Sequence, residues 1–308
     1  MNLPKTNQSA ESDQFISLQE FFSILRETYL IMIAILSIFL TGSIVYSYSL
    51  TEEYTSEAIL KISNKGGDPS SNNSSSLSIS NLITGKGSSN TAAYEVVTII
   101  KSRSFFNKLL SNNPEFLPML YAADSFDYPT STISFDVDLY DEENNTWVRK
   151  VKAPFASTPS NLEAYEVYLQ QLEIVVDDVS PILLASFTHI SPIFSSSFLE
   201  QIISTLNEYM RNKDLQESSE ALRYLESRLQ SEPQAEIRKS ISALVELQLK
   251  KNMYANINSA YAIDVIDAPF IPEIKSYPQK SVIIFIGLLA GLLSSLVTIF
   301  ILKLRLPQ

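Results

Sequence analysis

The chain has 308 residues, 34 acidic against 23 basic, one histidine and a net charge of −11. So acidic a chain lacks the basic patches that nucleic acid needs, and with no cysteine it offers no disulfide, zinc thiolate or cysteine nucleophile. Nearly all of that charge lies between two uncharged runs, Thr28 to Thr51 and Ser281 to Leu302.

A helix needs about 20 apolar residues to cross a hydrocarbon core of about 30 Å, and both runs are long enough. The first is not a cleavable signal peptide: it follows about 28 polar residues, and Ser49-Leu50-Thr51 is no small-x-small cleavage site. The expected organisation is a cytoplasmic N-terminal segment 1–27, a transmembrane helix 28–51, a periplasmic α+β domain 52–280, a second transmembrane helix 281–302 and a cytoplasmic tail 303–308. Lys303 and Arg305 in the tail favour the inside for both ends.

In chain order, Ser17-Leu18-Gln19-Glu20 reads as a capping box opening a short amphipathic helix, with Phe15, Leu18, Phe22 and Leu25 behind it. Tyr54 to Ile62 reads as a strand. Asn64 to Ala92 is a Ser/Asn/Gly-rich loop with an apolar patch at Leu77, Ile79, Leu82 and Ile83. Ala92 to Leu110 is one helix. Thr132 to Leu139 alternates as a half-buried strand, paired with Trp147 to Val151 across the polar turn Asp141 to Asn145. Asn161 to Gln171 is helical, and Leu172 to Val176 and Ile182 to Thr188 are strands.

From Pro192, suited to a first helical turn, to Ser231 there is no Gly and no further Pro. Leu215, Leu222, Leu225 and Leu229 form a stripe. Beyond Pro233, Ala235 to Asn256 resumes the pattern with Ile237, Ile241, Leu244, Val245 and Leu249. This spacing predicts a long helical hairpin or rod, coiled-coil-like, over about 192–257, with two ordinary core helices as the alternative. A last strand, Tyr261 to Ile266, leads through Pro269, Pro272 and Pro278 to the second run. Because the first and last strands each adjoin a span, they are expected to be neighbours in one sheet. The three prolines fix φ and remove donors, which suits either a stiff strut or a plain non-helical linker. Gly287, Gly291, Ser295 and Thr298 share one helix face that permits close helix approach, with Ala34, Ser37 and Thr41 as the matching face.

No catalytic constellation, cofactor site or metal site is expected. Gly85-Lys86-Gly87-Ser88 lacks the first glycine and the hydroxyl of a phosphate-binding loop. His189 has no second histidine, and there is no Gly-x-Ser-x-Gly elbow. The acids Asp136, Asp138, Asp141, Glu142 and Glu143 lack the glycine of an EF-hand calcium loop.

Several stretches together resemble the Wzz chain-length determinant family, also called polysaccharide co-polymerases. They are Leu18 to Glu53 with the following Tyr-Thr-Ser-Glu-Ala-Ile-Leu-Lys-Ile, Tyr94 to Leu110 with Ile-Ile-Lys-Ser-Arg-Ser-Phe, Phe187 to Tyr209, and Tyr261 to Gly291. The family's Pro-x-x-Pro and Ser-Pro-Lys motif is similar to Pro269, Pro272, Tyr277, Pro278 and Gln279, with Tyr for Ser and Gln for Lys. The family's paired glycines would fall at Gly291 and Ser295. The resemblance leaves out about 112–160. It implies a bacterial inner-membrane protein that forms rings and sets the chain length of a surface polysaccharide such as O-antigen, capsule or exopolysaccharide. It would do so as a non-catalytic scaffold acting on a separate polymerase. The implied partners are further copies of the chain and that polymerase, with the growing glycan as a further candidate. Six residues after the second run, no fused kinase is expected. From the residues alone, a membrane-anchored periplasmic sensor or adaptor stays open as the alternative, and a membrane-anchored enzyme as a third.

Overall fold

The computed structural model describes residues 18–63, 89–177, 179–258 and 260–305. The capping-box serine Ser17, the Ser/Asn-rich stretch with Leu77, Ile79, Leu82 and Ile83, and the Gly85–Ser88 segment lie outside them. The chain divides into two units, Thr51–Tyr277 and the two ends, Met1–Leu50 with Pro278–Gln308.

The second of these units is a pair of helices, α1 (Leu18–Ser49) and α8 (Lys280–Arg305), packed on each other. Their candidate membrane spans are Tyr29–Ser49 and Lys280–Ile299, 21 and 20 residues. The amphipathic segment expected before the first span is continuous with it in α1.

In the other unit, β1 (Tyr54–Ile62) is followed by α2 (Ser89–Ile100), α3 (Arg103–Asn112) and α4 (Phe116–Ala122). Four short strands come next: β2 (Ala123–Asp127), β3 (Thr132–Phe135), β4 (Tyr140–Asp141) and β5 (Thr146–Trp147). Then come α5 (Asn161–Gln171), β6 (Leu172–Val176), β7 (Ile182–His189), α6 (Pro192–Ser231), α7 (Ala235–Ile257) and β8 (Ile263–Asp267). The main sheet is antiparallel, in the order β6-β7-β1-β8. First and last strands are thus adjacent, from Ile62 opposite Ile263 to Ile59 opposite Asp267, with a bulge between Ile59 and Leu60.

Alternation in β1 buries Tyr54, Ser56, Ala58, Leu60 and Ile62 on one face, as a pleat of period two requires. Against that face and β7 lies the first half of α6, through Phe194, Phe198, Leu199, Ile202 and Leu206. Ser191 caps this helix, its Oγ accepting from Phe194 N at 3.3 Å, and Pro192 sits in the first turn. Phe105, Phe106 and Leu109 of α3 and Tyr168 of α5 complete the core.

Three expectations need correction. The helix over 92–110 is broken at Lys101 and Ser102, where Ser102 Oγ accepts from Phe105 N at 3.2 Å and caps α3. The break frees carbonyls that distant tyrosines occupy: Tyr168 OH donates to Ile100 O at 3.0 Å and Tyr165 OH to Lys101 O. The strand expected over 132–139 stops at Phe135, because Asp136 Oδ1 accepts from Asp138 N and Asp136 O from Leu139 N and Tyr140 N. That turn throws Val137 out to 82% exposure. Its partner is β2, while across the Asp141–Asn145 turn β4 pairs with β5, continued by Val148 N donating to Leu139 O at 3.0 Å. The last strand starts at Ile263 rather than Tyr261, since Asn207 Oδ1 accepts from Ala262 N and Ile263 N at 2.8 and 3.0 Å.

His189 is the last residue of β7. It is buried, its Nε2–H donates to Met119 O at 3.0 Å, and Nδ1 accepts from Ser191 N at 3.1 Å. Both ring nitrogens are thus satisfied in the neutral form, and burial pushes the imidazolium pKa down to about 4. An unfolded histidine near 6.5 binds its proton first, so stability is present above that value and is lost as pH falls toward the folded pKa. In the detergent-solubilised chain, denaturant titrations from pH 6.5 to 4.5 should lose about 2–3 kcal/mol more in the wild type than in His189→Gln. Parallel pH profiles would show that His189 does not titrate on unfolding.

Candidate functional site

Three groups of residues singled out in the sequence fall at three packing sites. The first is the proline segment. After β8 the chain does not stand free: Ser56 Oγ donates to Phe270 O at 2.7 Å, and Tyr128 OH reaches Pro272 O at 3.4 Å. Glu53 N donates to Tyr277 O and Ser276 N to Glu53 O, both at 2.9 Å, and Thr55 N donates to Ser276 Oγ at 3.1 Å. Lys275 pairs with Glu52. Pro272 is buried and Pro269 half-buried. Lacking an N–H, neither proline asks for a donor's partner at these positions, and the segment lies as a strap along the start of β1. Pro278, also buried, is the first residue of the helix-pair unit.

The second group lies within that helix pair. A Cβ added at Gly287 would stand 2.4 Å from Ser43 Cβ, and one at Gly291 would stand 3.0 Å from Phe39 Cβ. Ser295 is fully buried, its hydroxyl donating to Leu292 O in its own helix at 2.8 Å. The facing row on α1 is therefore Leu36, Phe39, Ser43 and the fully buried Ser47. Ala34, Ser37 and Thr41, expected to supply it, are exposed. Lys280 Nζ lies 4.0 Å from the Tyr48 ring centroid, a cation–π contact where the pair begins.

The third group is the hairpin of α6 and α7, packed along each other. At 40 residues α6 is about 60 Å long. Leu215, Leu222, Leu225 and Leu229 are all half-buried. On α7 the inward row is Ile241, Val245, Gln248, Asn252 and Ala255, whereas Ile237 and Leu249 are 40% and 46% exposed. The expected row is therefore right at Ile241, Leu244 and Val245, all buried or half-buried, and fails at Ile237 and Leu249, the contact around Asp214 and Asn252 being polar. Buried Asp214 pairs with Lys251 at 3.0 Å and accepts from Tyr261 OH at 2.6 Å, and Asn252 Nδ2 donates to Ser218 Oγ at 3.2 Å. Burial, then the Asp214 carboxylate, raises the Tyr261 phenol well above its ordinary pKa.

Sequence reasoning missed Arg149, which is buried and donates bidentately to Glu163 at 2.7 and 3.0 Å. Its Nε–H reaches Ala156 O and Ser157 O, so one guanidinium fastens the loop before α5. Glu163, held down to about pKa 2 by Arg149 and then by Ser160 N–H, also completes a capping box with Ser160. The Ser-x-x-Glu spacing at 160–163 was the available signal. Among the described residues no group of three or more His, Cys, Asp or Glu is placed to hold a metal.

Residues 14–113 match the family model described as Wzz, chain length determinant protein. Comparison with curated proteins returns no match. Among solved structures, a full-length bacterial polysaccharide co-polymerase is similar over 95% of this chain and all of that one, at 13% identity and TM-score 0.39. A fragment of WzzB, a polysaccharide co-polymerase from Salmonella Typhimurium, is similar over 74% of this chain and all of that one, at 11% identity and TM-score 0.28.

The glycine contacts rank two substitutions. Gly287→Ala forces the harder clash, so it should separate α1 from α8 more than Gly291→Ala, each by about 1–3 kcal/mol at most. Pyrene labels on Tyr29→Cys and Ile301→Cys, both exposed in a chain without native cysteine, report the pairing through excimer emission. Equal emission in both glycine variants and the parent would place this face in lipid. The match to the Wzz chain length determinant model thus takes in 100 of the chain's 308 residues.

Proposed function

We propose that this protein is a polysaccharide co-polymerase, a non-catalytic oligomeric scaffold that sets the chain length of a cell-surface polysaccharide made by a separate membrane polymerase. The observation that carries the reading is the family match over 14–113, which takes in the first candidate span, all of β1 and the helices α2 and α3. Two candidate spans, with Lys303 and Arg305 beyond the second, support an inner-membrane protein with both ends cytoplasmic and residues 51–277 periplasmic. Reporter fusions after Asn145 should then be active only in the periplasm, and a cytoplasmic signal there would end this topology.

The half-buried leucine stripe supports an oligomeric role, since apolar area left open on one hairpin is available to another copy. Replacing Leu222 and Leu229 together by Ala removes apolar packing worth about 1–3 kcal/mol per site, below the ~2–5 kcal/mol of full burial. If the hairpin sets spacing between copies, the double variant should insert normally yet shift or broaden the glycan ladder. A sensor would leave the ladder alone, and an enzyme would lose product altogether. A wild-type ladder from inserted double variant would count against the scaffold.

A further inference from the structure

Between the segment entering α4 and the β4–β5 hairpin lies an open cavity of about 420 Å³, whose walls include Phe135, Tyr140 and Trp147 and whose polar groups include Glu115, Glu142 and Asn145. Its volume falls within the ~300–1,000 Å³ typical of ligand sites. The three rings are edge-packed, Tyr140 to Phe135 at 5.3 Å and to Trp147 at 5.0 Å, so they present inclined apolar faces rather than one flat patch. Tyr140 is buried and its hydroxyl donates to Asn145 Oδ1 at 3.1 Å, holding the amide at the rim. Asn145 itself sits at φ 52 in a turn fixed by Asp141, which accepts from Asn144 N and Nδ2. The site is therefore preformed.

We propose that this cavity binds one or two pyranose units of a neutral or amino-sugar glycan, a reading that rests on the chain acting on a polysaccharide. The lining residues include no Lys, Arg or His, so an anionic ligand would meet two carboxylates and no cation. A purely apolar ligand would use only the aromatic wall and leave the carboxylates and the Asn145 amide without a partner on it. A pyranose ring answers both walls: its C–H faces lie on the aromatic rings, and its hydroxyls donate to carboxylate and amide oxygens. Trp147, the only tryptophan in the chain, is itself a wall of the cavity, so its emission reports occupancy.

The test titrates the full chain, in nanodiscs free of sugar detergent, with neutral oligosaccharides of glucose, galactose, mannose, rhamnose and N-acetylglucosamine. A galacturonate oligomer and a Lys/Leu-rich hexapeptide without tryptophan serve as competitors of other chemistry. At least one neutral or amino-sugar oligomer should shift Trp147 emission saturably at millimolar concentration, about tenfold more tightly than the galacturonate oligomer. Glu115→Lys with Glu142→Lys, both at exposed positions, should cancel or reverse that preference while leaving the circular dichroism unchanged. Flat emission across the panel to about 50 mM, or saturation by the peptide alone, overturns the proposal. A flat titration beside a shifted ladder in the Leu222/Leu229 variant would discard the cavity and keep the chain-length reading. Saturable binding beside an unshifted ladder would do the reverse.

Discussion

Everything in the larger unit depends on how β1 is held. It is hydrogen-bonded on one side to β7 and on the other to β8, and its first residues also hold the returning strap at Ser276 and Tyr277. An inner strand satisfies both of its edges within the sheet, whereas an edge strand leaves a row of donors and acceptors open. Each bond contributes only about 0.5–1.5 kcal/mol net. Their number matters less than their placement, because those to β7 join residues more than 120 positions apart and those to β8 and the strap more than 200. With Glu53, two residues into the unit, bonded to Tyr277, its last, the unit's two ends are fixed as neighbours, and the intervening chain must fold as one loop closed on that point.

From that frame the long helix takes its two characters. Its first half lies on β1 and β7 and is apolar: Phe194, Phe198, Ile202 and Leu206 are buried. Its second half has only α7 to lie against, and there the contact changes chemistry. Asp214 with Lys251 and Tyr261, and Ser218 with Asn252, join the helices through polar side chains. Leucines alone tolerate sliding by a turn, about 5.4 Å. These polar pairs do not, since a slip would leave Asp214 buried without its cation, a large cost in a desolvated site. The leucines beyond are then free to remain half-open, which a self-sufficient hairpin would not favour.

Much of this was legible from residue pattern. Strand β1, helix α5, strand β6 and both ends of α6 follow from strand-like and helical residue pattern, with Pro192 opening the long helix. What was not legible has two causes: partners that lie far away in sequence, and a local side-chain turn that overrides strand alternation. The break at Ser102 is stabilised by Tyr165 and Tyr168. The pairing of β3 with β2 is settled by the turn at Asp136, which ends the strand despite unbroken alternation. In the helix pair, small residues marked one face of α8, but matching small against small gave the wrong face of α1. Gly287 and Gly291 instead face Ser43 and the bulky Phe39, so a hollow on one helix is filled from the other.

The family match ends at Asn113, and the cavity begins at Pro114. The matched portion supplies the first span, the inner strand and the helices packed over it, all elements whose work is to anchor and hold position. The portion that follows is built otherwise, from strands of two to five residues, a positive-φ asparagine and one buried arginine that gathers the loop at 156–158. Short strands with side-chain-stabilised turns contribute little to a core, yet they place aromatic and acidic groups at defined angles around an opening. A scaffold that only spaced its copies would need the first portion and the hairpin. On the reading proposed above, a scaffold that also engaged its polymer would need a surface of another kind, and the aromatic and acidic lining of this second portion is where we propose it.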